Sequence, residues 1–328
     1  MEQSKKMRFL INNCTDAAFN LALEEILTRE FPEEFLMLWR NSSAVIVGKN
    51  QNTFAEVNSE FASRNCVQVI RRMTGGGAVY HDLGNVNYSL LIAERHPGAD
   101  SFTRFASPVV ETLQKMGLDA LFSGRNDIEV EGKKVSGSAQ CCVKNRTLFH
   151  GTLLFDANME MLSKVLNPSK MKMESKGVRS LRARVANLKN FLPEMSVEEF
   201  IEALKYHLQV LAGTPEEIPA EWIARAESLA GEKYRTWEWN WGTPFESTWE
   251  NKAKFPAGVV ELKLKVRNGV AEEVCIQGDF FGECTPLQEA LLNVQFRREA
   301  FGERLKNIAV GEHIKGLSNE EFLSLIDF

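Results

Sequence analysis

The chain has 328 residues, 44% hydrophobic and 25% charged, with 39 Lys+Arg against 44 Asp+Glu for a net charge of −5. That length exceeds the roughly 250–300 residues at which a single core stops growing, so two unequal domains are expected, and the acidic balance argues against a nucleic-acid binder. The start carries no apolar run of signal-peptide length and no stretch reaches the roughly 18 apolar residues of a membrane span, which predicts a cytoplasmic protein with no membrane partner.

Taken in order, residues 7–11 read as a short strand, and Thr15 or Asp16 caps a helix to about Arg29 with Ala18, Leu21, Ala22, Glu25 and Ile26 on one face. Residues 35–39 and 44–48 read as paired strands, 58–65 as a short helix, and 67–70, 78–80 and 86–92 as further strands. Between two of these lies Arg71-Arg72-Met73-Thr74-Gly75-Gly76-Gly77, expected to close a hairpin. Residues 101–116 form a second amphipathic helix, followed by strands at 127–131, 134–143 and 148–155 with turns at Glu131-Gly132 and Lys144-Asn145. Ser196-Val197-Glu198-Glu199 is a capping box opening a helix to about Leu211, and 220–229 is another helix.

Trp237-Glu238-Trp239-Asn240-Trp241-Gly242 marks the edge of the first domain, or an aromatic strand finishing its core. From about Gly258 the pattern restarts with a strand over 259–267, an Asn268-Gly269 turn, a strand over 270–277 and helices over 287–300 and 320–326. The fold class expected is α+β. A mixed sheet flanked by helices occupies 1–246, and a small α+β domain occupies 247–328.

Six cysteines without C-x-x-C spacing indicate neither a zinc site nor a disulfide framework. The glycine triplet costs roughly 0.5–1 kcal/mol per glycine relative to alanine in a regular element, so it serves a purpose other than folding. It fits neither the P-loop nor the dinucleotide fingerprint, since both run from a strand into a helix. Successive glycine amides beside two arginines can still line an anion site. By strict alternation Lys134, Ser136, Ser138 and Gln140 share one strand face, with Cys142 beside them and Cys141 opposite; a bulge at Gly137 would exchange the two cysteines. Asn126-Asp127 reads as an Asx turn or as oxygen ligands for magnesium shared with phosphate. His81-Asp82 and His150 lack the Ser or Cys elbow of a triad, so structural hydrogen bonding is expected of them. Lys170, Lys172, Lys176, Arg179, Arg182 and Arg184 form a basic run, either solvated or meeting a phosphate or an acidic partner.

The segment RRMTGGGAVYHDLGNVNYS resembles the signature of the lipoate-protein ligases within the biotin/lipoyl protein ligase family. The resemblance continues in family order through Gly124-Arg125-Asn126-Asp127, Lys134-Val135-Ser136-Gly137-Ser138-Ala139, His150-Gly151-Thr152-Leu153-Leu154, and Lys176-Gly177-Val178 to Arg184-Val185-Ala186-Asn187-Leu188. It implies an ATP-dependent ligase that activates lipoate as lipoyl-AMP and transfers the lipoyl group to an acceptor lysine. The acceptors it implies are lipoyl domains of 2-oxoacid dehydrogenase E2 subunits and the glycine-cleavage H protein. ATP and Mg2+ are implied, and no bound prosthetic group. The family pattern selects Lys134 over Lys133 as the catalytic cation. It assigns ATP to Arg72, Gly75, Gly76, Gly77, Ala78, Val79, Tyr80 and Lys134, with adenine read by the backbone of Val79 and Tyr80. Lipoate falls to Lys134, Arg72, His150 and Gly151, and magnesium to Asn126 and Asp127.

One departure stands out: where some lipoate ligases carry an arginine after S-G-S-A, this chain has Gln140-Cys141-Cys142. That opens an alternative, an ATP-independent octanoyl or lipoyl transferase working through a cysteine thioester, as related transferases do. Outside enzymes, the same pocket would suit a protein that binds acyl-adenylate or acceptor without turnover.

Overall fold

The computed structural model describes residues 7–93, 101–123, 126–167, 185–242 and 247–326. The strands of the amino-terminal part are β1 (Arg8–Asn12), β2 (Phe35–Trp39), β3 (Ala44–Val47), β4 (Gln68–Arg71), β5 (Val79–His81), β6 (Asn85–Ile92), β7 (Ala120–Ser123), β8 (Asp127–Val130), β9 (Lys133–Val143), β10 (Arg146–Leu154) and β11 (Pro215–Glu217). Eight of them form a mixed sheet in the order β11-β1-β2-β6-β10-β9-β8-β7, and the other three a small sheet in the order β4-β3-β5. The expected pairing of 35–39 with 44–48 does not occur. Each of these strands is central in its own sheet and wholly buried, so neither has an edge left for the other.

Period-two alternation sets the layers. Leu36 and Leu38 of β2 face one apolar cluster, with the helices Ser101–Lys115 and Val197–Ala212, while Phe35, Met37 and Trp39 face another. That second cluster is filled by the helix Ala17–Glu30, capped by the Asp16 carboxylate accepting from the Ala18 amide at 2.9 Å. It packs against the large sheet, the small sheet and the helix Ala220–Leu229 together, so it is buried on every side rather than on the one face expected, Glu24 and Glu25 included. Glu25 is held by Lys233 and Tyr234, each at 2.6 Å.

The carboxy-terminal part forms an antiparallel sheet of β12 (Trp249–Phe255), β13 (Gly258–Arg267), β14 (Val270–Gly278) and β15 (Val294–Gln295) around its own apolar cluster. Asn268 and Gly269 both adopt positive φ, 52° and 73°, as the Asn-Gly turn requires. β12 went unanticipated because the charged residues between Trp249 and Phe255 mask its alternation. The single helix expected over 287–300 is instead two, Thr285–Ala290 and Arg298–Leu305, with β15 between them. Asn293 breaks the run by entering the left-handed region at φ 60°, and its amide donates to the Ala271 carbonyl at 2.8 Å. Residues 237–240 form a short helix, not an aromatic strand. Among the described residues no helix is long and apolar enough to cross a membrane.

The backbone at Asn293 gives a first test. Asn293→Ala should lower stability by about 1 kcal/mol, since a Cβ-bearing residue without a local polar partner fits the left-handed region poorly, whereas Asn293→Gly should stay within a few tenths. Urea unfolding of both variants distinguishes them, and equal losses would count against this account.

Candidate active site

The glycine-rich stretch does not close a hairpin, because β4 and β5 flank β3 on opposite sides and the chain must cross over the end of β3 between them. The two arginines that enter it diverge. Arg71 spans the carbonyls of Gly48, Lys49 and Gln51, the Thr53 hydroxyl and the Trp239 carbonyl, all at 2.7–2.9 Å, and so ties the loop after β3 to the helix Trp237–Asn240. Arg72 is buried and donates to Thr74 Oγ1 and to the carbonyls of Ile46, Gly75 and Gly77 at 2.6–3.0 Å. Burial lowers both guanidinium pKa values to about 10, which leaves them charged at neutral pH. Three of the five Arg72 N–H groups shape the glycine loop and a fourth ties it to β3, so its part in holding phosphate is at most through the remaining one.

The glycines meet protein before they meet any ligand. The Gly76 amide donates to the Phe280 carbonyl at 3.0 Å, and at φ +90° a Cβ on Gly76 would lie 2.8 Å from the Phe281 ring. A Cβ on Gly75 would run into the Phe280 backbone. Across the same junction the Gly278 amide donates to the Asn50 carbonyl at 2.8 Å, and Lys49 pairs with Glu283. The triplet therefore lets two backbones from different sheets approach closely, a need that its sequence does not distinguish from phosphate binding.

Behind this junction lies a cavity of about 450 Å³. Arg72, Gly76, Gly77, Ala78, Val79, Asn126, Asp127, Lys134, His150 and Gly151 line it, which brings together most of the residues that the sequence singled out. Gly75 and Tyr80 stand apart: the Tyr80 ring packs in the cluster beyond the small sheet with its hydroxyl 3.1 Å from Ser43. Leu21, Trp39, Ile46, His81 and Asn87 complete the inner wall, and Asp279 and Phe281 reach in from the carboxy-terminal sheet's side. The basic run at 170–184 and Gly124-Arg125 lie outside the described residues.

Lys134 owes its place to a bulge. Ile128 pairs with Ser136 and Glu129 with Lys134, leaving Val135 extra, so strict alternation fails two residues before Gly137. Lys134 lines the cavity with Gly137, Ser138 and Ala139, while Ser136 is fully buried. Its ammonium group lies 2.7 Å from the Asp127 carboxylate, with both side chains about one-third exposed at 35% and 30%. Asn126 fixes the turn beside it by donating to the Ser138 carbonyl at 2.7 Å, which orients its own carboxamide oxygen away from that bond. Neither Cys141 nor Cys142 lines the cavity. Burial, with Glu24 near, pushes the Cys141 thiol well above its ordinary pKa. Among the described residues no cluster of three or more His, Cys, Asp or Glu could hold a metal by itself.

The inner wall is a hydrogen-bond chain that sequence reasoning missed. Arg72 donates to Thr74 Oγ1, whose proton is therefore offered to His150 Nε2 at 2.9 Å, while His150 Nδ1–H donates to Glu24 at 2.9 Å. Ser89 donates to the same carboxylate at 2.6 Å and accepts from the Trp39 indole at 2.8 Å. Glu24 is fully buried. The available signal was Asn85-x-Asn87-x-Ser89 within an apolar strand, a polar row that looks solvent-facing and is in fact sealed.

Residues 16–209 match the lipoyl protein ligase A/B catalytic domain, and 245–326 match the bacterial lipoate protein ligase C-terminus. Lipoate-protein ligase LplJ of Bacillus subtilis is 37% identical over 98% of this chain and 100% of its own, and lipoate–protein ligase 1 of Staphylococcus aureus is 36% identical over the same shares. The crystal structure of P. falciparum LipL1 in complex with lipoate superposes with a TM-score of 0.78 at 26% identity, covering 97% of each chain. A lipoate-protein ligase A bound with ATP gives 0.62 at 29% identity, covering 72% of this chain and 99% of that one.

The junction at the glycine loop generates the second test. Gly75→Ala should separate it, so that the amides of Gly76 and Gly278 exchange with solvent roughly tenfold faster or more, in line with the ~1–3 kcal/mol cost of overpacking. Unchanged protection at both amides would mean that the loop tolerates a side chain there.

Proposed function

The chain belongs to the lipoate-protein ligase family, and from that premise we propose that it activates lipoate with ATP and transfers the lipoyl group to a lysine of an acceptor protein. The observation that carries the reading is the Lys134–Asp127 pair, standing in the wall of a cavity of about 450 Å³ lined by both polar and apolar side chains. In the first half-reaction a lipoate carboxylate oxygen attacks the α-phosphorus of ATP, the bond to the bridging oxygen breaks, and pyrophosphate leaves. In the second, an acceptor amine attacks the acyl carbonyl, loses a proton, and AMP leaves. Both steps concentrate negative charge at one point, and a fixed ammonium group in a water-poor site stabilises that charge more than it stabilises the ground state.

Lys134 is anchored for this role, since its carbonyl accepts from the Ala186 amide at 2.9 Å and its side chain is steered by Asp127. β5 is one of the two edge strands of the small sheet and Val79 lines the cavity, so its backbone is suited to reading adenine by hydrogen bonds. Asp127 and Asn126 would hold a magnesium ion arriving with ATP, since one carboxylate with a carboxamide oxygen beside phosphate suits that ion. The acceptors proposed are lipoyl domains of 2-oxoacid dehydrogenase E2 subunits and the glycine-cleavage H protein; the first is supported by a T. acidophilum ligase 30% identical to this chain that was studied with its E2 lipoyl domain. The thioester alternative has little support, because neither cysteine faces the cavity and Cys141 is held as a thiol.

Lipoate-dependent exchange of labelled pyrophosphate into ATP tests the reading, and its absence would sink it. Lys134→Ala should slow that exchange by about 10²–10³, while Lys133→Ala, on an exposed side chain, should be nearly silent. The Cys141→Ser/Cys142→Ser variant should retain ATP-dependent lipoylation within about tenfold, or roughly 1.4 kcal/mol of barrier; complete loss in a folded protein would favour the thioester route.

A further inference from the structure

Gly137 is a glycine that neither backbone conformation nor packing requires. Its φ lies outside the left-handed region, unlike that of Gly76, and no neighbouring backbone presses on it as Phe280 presses on Gly75. Among the described residues, the atoms that a Cβ there would meet within 4 Å are Lys134 Nζ at 3.3 Å and Cε at 3.5 Å. The lysine folds back along its own strand, past the extra residue Val135, and lays its ammonium group against the place that a side chain on Gly137 would take. Asp127, in register with Gly137 across β8, holds that group at 2.7 Å. The seat is fastened from both sides. Main-chain pairing of β9 with β10 ends at Ser138 and Gly151, and at the next position the Thr152 hydroxyl replaces it, accepting from the Gly137 amide at 3.2 Å and donating to the Gly137 carbonyl at 3.4 Å. On the other side Asn126 holds Ser138 in the same way, its carbonyl accepting from the Ser138 amide at 2.9 Å and its carboxamide donating to the Ser138 carbonyl at 2.7 Å.

We infer that Gly137 and Thr152 are positioning residues for the ligation: the glycine keeps open the seat of the Lys134 ammonium group, and the threonine hydroxyl fixes where that seat stands in the sheet. The inference rests on Lys134 being the charge-stabilising cation proposed above. A fixed charge stabilises a transition state only as well as it is aimed, and a misplacement of about 1 Å can cost about a hundredfold in rate. A methyl group on Gly137 pushes against the flexible end of one side chain. Its effect therefore falls on the position of the ammonium group and hardly on the stability of the fold. The Thr152 hydroxyl acts one step further away, through the backbone of Gly137.

The experiment measures lipoate-dependent exchange of labelled pyrophosphate into ATP on the full chain, for Gly137→Ala, Thr152→Val and Thr152→Ser, and for the first two combined with Lys134→Ala. Gly137→Ala should lower kcat about tenfold or more, with KM for ATP within about twofold and the thermal midpoint unchanged. Thr152→Val, which removes the hydroxyl, should lower kcat in the same way, and Thr152→Ser, which keeps it, should recover most of the loss. In the Lys134→Ala background neither change should cost anything further, because a residue that acts through Lys134 then has nothing left to position. Losses that add in full to that of Lys134→Ala overturn the inference, as do single variants with wild-type kcat. Gly137→Ala removes no hydrogen bond, so it decides the matter even where Thr152→Val unfolds. Unchanged exchange in Lys134→Ala alone strikes the ligase reading's assignment first and this inference with it, a result distinct from an essential Lys134 with indifferent neighbours.

Discussion

A sealed arginine and a sealed glutamate, joined through Thr74 and His150, hold the cavity's walls in register. Arg72 shapes the glycine loop, Thr74 and His150 relay its hydrogen bond to Glu24, and Glu24 reaches Trp39 through Ser89. Six side chains from the small sheet's loop, the buried helix and three strands of the large sheet are thereby fixed by one another. An unpaired charge at either end would be costly to keep in such an interior, which makes the chain all-or-none: it is fully connected or the cavity changes shape. The reacting groups proposed at Lys134 and Asp127 stand apart from it, each about one-third exposed and paired with the other. A sealed, hydrogen-bonded end and a more exposed, charged end are thus separated within one cavity.

The carboxy-terminal sheet enters this scheme as a wall rather than an appendage. The Phe280 carbonyl takes the Gly76 amide, Phe281 and Asp279 line the cavity, and Lys49 and Glu283 pair beside them. An amide so engaged is not offered to any other acceptor in the same arrangement.

Much of the larger outline was legible in the residues. The strands around the glycine stretch, the capping box at Ser196 and the Asn268-Gly269 turn follow from local propensity, which acts over a few residues and survives into the fold. The cavity-lining set around Lys134 was legible mainly because its motif is long. What stayed hidden was whatever depends on cover. Periodicity reports that Asn85, Asn87 and Ser89 share a face of β6, not that the face is buried against a helix. It cannot place Val135 as an extra residue, because a bulge is decided by how two strands settle against their neighbours. Nor does a glycine triplet say whether a ligand or another piece of backbone requires the space.

Phe281 carries one more consequence. Its ring comes from a segment that follows β14, yet it is buried in the apolar cluster of the large sheet, beside residues more than a hundred positions earlier in the chain. Two bodies that share a core side chain do not lose their structure independently. Melting the smaller one withdraws that ring and opens a hole in the larger, while loosening the larger releases the smaller from its seat. Unfolding of the protein is therefore cooperative across the junction, with a single transition where two separately stable domains would give two, for as long as that ring remains in place.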